Sequence, residues 1–115
     1  MSKRWNYFSE DEVKGLDVEF VAKLDMARHT AGTAFIITSG KRDSSSNNHA
    51  NGVEDSSHLH GLAVDLACDL SGNRYKILNS LLHVGFSRIG VYDKHIHVDM
   101  DKTKPEGVIW IGTSH

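Results

Sequence analysis

The chain has 115 residues, enough for one compact domain (1–115) and no second. Hydrophobic residues make up 39% and charged residues 24%, which excludes a disordered or fibrous chain. A net charge of −2 without a long basic run argues against nucleic acid as a partner, and no run approaches the ~20 apolar residues of a membrane span.

The only cysteine, Cys68, can form no internal disulfide, and in the apolar run 62–68 it reads as a buried thiol rather than a nucleophile. Residues 1–8 lack an apolar core followed by a small-residue cleavage site, so synthesis in a cytoplasm is expected. Eight histidines are the compositional oddity, and His49, His58, His60, His95 and His97 account for most of them.

In chain order, Ser9-Glu10-Asp11-Glu12 has the form of a capping box and predicts a short helix ending near Gly15. Asp17 can cap a second helix in which Phe20, Val21, Leu24, Ala27 and also Met26 recur at helical spacing, with Gly32 as its stop. Residues 34–38 are apolar and β-branched and read as a strand ending at Ser39-Gly40. Residues 43–55 are polar and without hydrophobic period, a long loop of the kind that carries function in a small domain.

Residues 62–68 read as a buried strand with Asp65 as an intrusion, and a buried carboxylate must be paired or bound to a cation. Ser71 or Asn73 can cap a third helix carrying Tyr75, Ile77, Leu78, Leu81 and Leu82, closed by Gly85. Residues 86–92, 96–100 and 108–111 read as three more strands, the first two joined by an Asp93-Lys94 hairpin turn. The fold class is α+β, with helices on one face of a small, mainly antiparallel sheet.

Residues two apart on a strand share a face, so His95, His97 and Asp99 point one way and Ile96, Val98 and Met100 the other. A catalytic zinc takes three ligands from His, Asp or Glu, and His58, Asp65 and His97 would supply that set. A four-histidine site from His58, His60, His95 and His97 is chemically possible too, but leaves Asp65 unexplained. His49 reads as an exposed loop residue, and His29, His83 and His115 as incidental.

At these residues the chain resembles the D-alanyl-D-alanine carboxypeptidase-type zinc peptidases. These include phage endolysins and cell-wall peptidases and are related in structure to the hedgehog signalling domain. Their pattern of Ser-Gly-x-Arg, Asn, Gly, Ser-x-His-x-x-Gly-x-Ala-x-Asp and a later His is matched by 39–42, Asn47, Gly52, 56–65 and His97.

The resemblance implies a hedgehog-like zinc peptidase fold and a Zn2+ held by His58, Asp65 and His97, with His60 outside. It implies that Arg42 grips a substrate carboxylate or carbonyl with its forked guanidinium. Ser56 would orient a ligand or substrate, and Gly61 would allow close backbone approach. The activity implied is hydrolysis of peptide bonds in peptidoglycan stem peptides, as an endolysin-like L-alanyl-D-glutamate endopeptidase or a D,D-carboxypeptidase. A monomer is expected, reaching the wall by holin-type release. A non-catalytic zinc-binding domain is the alternative.

One departure stands out. Many relatives carry an acidic general base three residues before the last histidine ligand, where this chain has Lys94. His95 is then the first candidate for proton transfer, its ordinary pKa of about 6.5 suiting neutral pH. Asp93 and Asp99 are the alternatives.

Overall fold

A computed structural model describes residues 5–39, 61–68 and 70–112. In chain order these form α1 (Val18–Ala31), β1 (Ile37–Ser39), β2 (Ala63–Ala67), α2 (Ser71–His83), β3 (Arg88–Val91), β4 (His95–Asp99) and β5 (Val108–Ile111).

Asp17 caps α1 by accepting the Phe20 amide at 3.1 Å, and Gly32 ends it in the left-handed conformation, its own amide donating to Arg28. Phe20, Val21, Leu24 and Ala27 form the buried stripe. Met26 does not join them. It lies two residues past Leu24, about 200° round the helix, and is 59% exposed.

The expected helix before α1 is a set of turns. Its capping pair does form: the Ser9 amide donates to Glu12 Oε1 at 2.9 Å and the Glu12 amide to Ser9 Oγ at 3.2 Å. A single turn cannot repay helix nucleation, and Gly15 turns the chain at φ 82° before a second can follow.

Neither Ser71 nor Asn73 caps α2. The helix starts one residue early, with Leu70 in the cap position and no side chain bonded there. Ile77 and Leu81 carry its buried side, whereas Tyr75 and Leu82 are exposed. Phe86, just beyond α2, meets Phe20 of α1 edge to face at 5.8 Å between centroids.

The sheet order is β1-β2-β4-β3-β5. β1 begins at Ile37 rather than at Ala34, and β3 is trimmed at both ends relative to 86–92. β2 and β4 are the central antiparallel pair, in register from Ala63↔Asp99 to Ala67↔His95. The β3–β4 hairpin closes through Asp93-Lys94, where the Tyr92 amide donates to the His95 carbonyl at 2.9 Å. β5 makes the sheet mixed, since it pairs with β3 in parallel. The 100–107 connection carries the chain past β3, so β5 runs against β4 but lands on β3's far side.

Alternation then divides the sheet. Val64, Leu66, Ile89, Ile96 and Val98 are fully buried in one cluster with the apolar sides of both helices. The other face receives Asp65, Arg88, Gly90, Tyr92, His95 and His97.

Candidate active site

The site grows from the β2–β4 register, which sets Asp65 directly opposite His97. Directly opposed residues in an antiparallel pair bring their side chains within reach. Here Asp65 Oδ1 stands 3.0 Å from His97 Nδ1. The side chains are 21% and 14% exposed. Asp65 is therefore not an intrusion into the core. β2 alternates, with Val64 and Leu66 inward, and the carboxylate reaches a polar, partly open face.

The far side of the imidazole is fixed as well. His97 donates from Nε2 to Asp99 Oδ2 at 2.7 Å, and Asp99 Oδ1 accepts from Arg88 Nε at 2.7 Å and from the Asp101 amide at 3.1 Å. Burial opposes a charged His97, but hydrogen bonds and charge from Asp65 and Asp99 outweigh it and raise its pKa above the ordinary value. Burial likewise opposes a charged Asp99, and its bonds from His97, the Asp101 amide and Arg88 hold the carboxyl below the usual range.

An aromatic wall borders this pair. The Trp110 ring lies 5.5 Å from the His97 ring and takes the Arg88 guanidinium over it at 5.2 Å. Trp110 Nε1 donates to the Tyr92 hydroxyl at 3.1 Å, and the Tyr92 ring stacks on His95 at 4.3 Å, nearly parallel. Gly90 makes room, because a Cβ there would come within 2.5 Å of the indole nitrogen. Arg88, Tyr92 and Trp110 did not emerge from the sequence. The available signal was the alternation Arg88-Ile89-Gly90-Val91-Tyr92, which puts Arg88, Gly90 and Tyr92 on the face of the histidines.

Of the other expected site residues, Asp93 is exposed in the hairpin turn, its backbone carbonyl accepting from Arg74 at 2.8 Å. Cys68 is buried, as expected of a thiol in an apolar run. His29 has polar company after all, its Nδ1 bonded to the Tyr7 hydroxyl. Arg42, His49, Ser56, His58 and His60 lie outside the described residues. Gly61, at the end of that motif, has φ 71° and packs so closely that a Cβ would meet the Gly15 carbonyl at 2.4 Å. Its own carbonyl accepts the Asp17 amide at 2.8 Å, tying the motif's end to the start of α1.

Among the described residues no group of three or more metal-binding side chains is gathered. Two donors of the expected set do converge, Asp65 Oδ1 and His97 Nδ1. Their 3.0 Å separation is close to the roughly 3.3 Å between two donors sharing a tetrahedral zinc with bonds of ~2.0–2.2 Å. Carboxylate oxygen and imidazole nitrogen are also the donor types zinc takes in catalytic sites. The residues present fit such a metal.

Taken together, the fold and site define a small α+β domain that presents a carboxylate–imidazole pair on the open face of its sheet. The profile of the Peptidase M15 family matches residues 3–99, and the chain belongs to that family. Membership places it among the peptidases, a class of hydrolases. No curated protein matches the sequence. Among the described residues no helix is long and apolar enough to cross a membrane.

Proposed function

We propose that this single domain is a zinc metallopeptidase that hydrolyses peptide bonds in the stem peptides of peptidoglycan, in the manner of a phage endolysin. The observation that carries the reading is the Asp65–His97 pair at 3.0 Å in a chain of the Peptidase M15 family. His58, Asp65 and His97 would hold the metal. When bound, zinc would polarise the scissile carbonyl and lower the pKa of water towards ~7.

The chain's own residues do the rest. His95, on the face of His97 and steadied by its stack on Tyr92, takes a proton from the attacking water and returns one to the leaving amine. Asp93, in the adjoining turn, is the second candidate for that transfer. Asp99 is poorly suited, because both its oxygens are engaged and it is nearly fully buried. Arg42 grips a carboxylate or carbonyl of the stem peptide and Ser56 orients ligand or substrate, both by the resemblance of their motif. No nucleic acid or membrane insertion enters this reading; the enzyme is a monomer that meets the wall after holin-type release.

Digestion of purified sacculi, with mass analysis of the fragments, tests the proposal. Stem peptides with new amino termini, formed without chelator and not with it, are expected. Intact sacculi under both conditions, with zinc bound, would favour a non-catalytic zinc domain. Within the same assay, Arg42→Lys is expected to keep its zinc and melting temperature yet lose much of kcat/KM, since a point charge cannot replace a fork.

A further inference from the structure

Asp99 is the best-protected carboxylate on this face, its side chain 1% exposed, and the chemistry above gives it no proton to carry. A buried carboxylate is stable only when its oxygens are occupied. The His97 Nε2–H occupies one, and Arg88 Nε with the Asp101 amide occupies the other. Arg88 is itself restrained, donating through a terminal nitrogen to the Pro105 carbonyl while its plane lies over Trp110. Asp99 therefore cannot swing away from the imidazole without breaking a charge-assisted bond on its other side.

The consequence falls on His97. An imidazole that donates from Nε2 offers its Nδ1 lone pair to a cation, and Nδ1 is the atom facing Asp65. From these contacts we infer that Asp99 and Arg88 are positioning residues for the metal. Asp99 holds His97 with Nδ1 as the ligating atom, and Arg88 acts through Asp99. The inference rests on the zinc reading of Asp65 and His97. It also gives the 100–111 stretch a task, as Pro105 and Trp110 brace Arg88 from beyond the family-matched residues.

The test is zinc affinity of the full chain, measured by competition with a chromogenic chelator, together with the visible spectrum of the Co2+-loaded form. Asp99→Ala is expected to weaken zinc binding about 10–100-fold, the usual worth of an outer-shell partner. Its Co2+ spectrum should change, because the imidazole is free to turn. Asp99→Asn should lose less, an amide oxygen still accepting from Nε2. Arg88→Met should weaken binding too, but the double variant Arg88→Met/Asp99→Ala should bind no worse than Asp99→Ala alone.

Wild-type affinity in Asp99→Ala would overturn the inference, as would losses that add in the double variant. Should Asp99→Ala not fold, the isosteric Asp99→Asn decides in its place: a smaller loss with an altered Co2+ spectrum is expected, and wild-type affinity together with a wild-type Co2+ spectrum overturns it. A wild-type chain binding zinc no more tightly than Asp65→Ala is a different failure: it removes the zinc reading itself and the inference with it.

Discussion

Two buried carboxylates in this protein do opposite jobs. Asp25, on the buried side of α1, accepts the amides of Asn6 and Tyr7 at 3.2 and 2.9 Å. Tyr7 in turn gives its carbonyl to Arg28 at 2.6 Å and its hydroxyl to His29. That network pins the N-terminal segment to the helix and uses mostly neutral donors. Asp99, at the end of β4, is bound instead by an imidazole and a guanidinium. Burial is similar in the two places, so burial alone does not tell a fastening from a site. The partners do: backbone amides need only an acceptor, whereas an imidazole held between two carboxylates on a partly open face is poised for chemistry.

The largest expected effect falls on the proton-transfer group. His95→Ala is expected to keep zinc and fold while losing on the order of 10²–10⁴ in rate. Asp93→Asn should cost less. If Asp93→Asn is the inactive variant and His95→Ala keeps most of its rate, the two residues exchange roles.

Asp25→Ala probes the other region. It leaves two amides without their acceptor and should cost about 1–3 kcal/mol of stability, read from urea unfolding. Zinc affinity should not move. A loss of affinity there would show that the N-terminal fastening and the site are one unit.

The smallest expected effect is the pH dependence of the metal-free protein, read as melting temperature in chelator. Because the folded pKa of His97 is raised, its stabilisation is complete below the unfolded value of about 6.5. It is lost as pH rises through the raised folded value. Asp99 works in the opposite sense: its stabilisation holds above the ordinary carboxylate range and fades as pH falls through its depressed value. His97→Gln should remove the loss on the alkaline side. With zinc bound the alkaline trend should reverse, since metal and proton compete for the imidazole.

Much of this was legible in the sequence, and the reasons for the rest are physical. The alternation through His95-Ile96-His97-Val98-Asp99 placed the polar residues on one face, and the carboxylate of Asp65 called for a partner or a cation; that β2 pairs with β4 came from the structure. Asp17 and Gly32 bounded α1 because caps are local chemistry. The turns at 10–15 were missed because a capping box says where a helix can start, not whether enough residues follow to repay its nucleation. Alternation along 88–92 was a signal for the face of Arg88, but its contact with Trp110 was out of reach, since that depends on β5 crossing to the far side of β3. Asp25 was hidden because its partners are backbone amides eighteen and nineteen residues away.

We propose that Asp65 and His97 hold a zinc ion together. Metal analysis of the purified wild-type chain beside Asp65→Ala and His97→Ala, each checked for fold by circular dichroism, tests it most directly. One zinc per chain is expected in the wild type and none in either folded variant. Full zinc content in folded Asp65→Ala would contradict it.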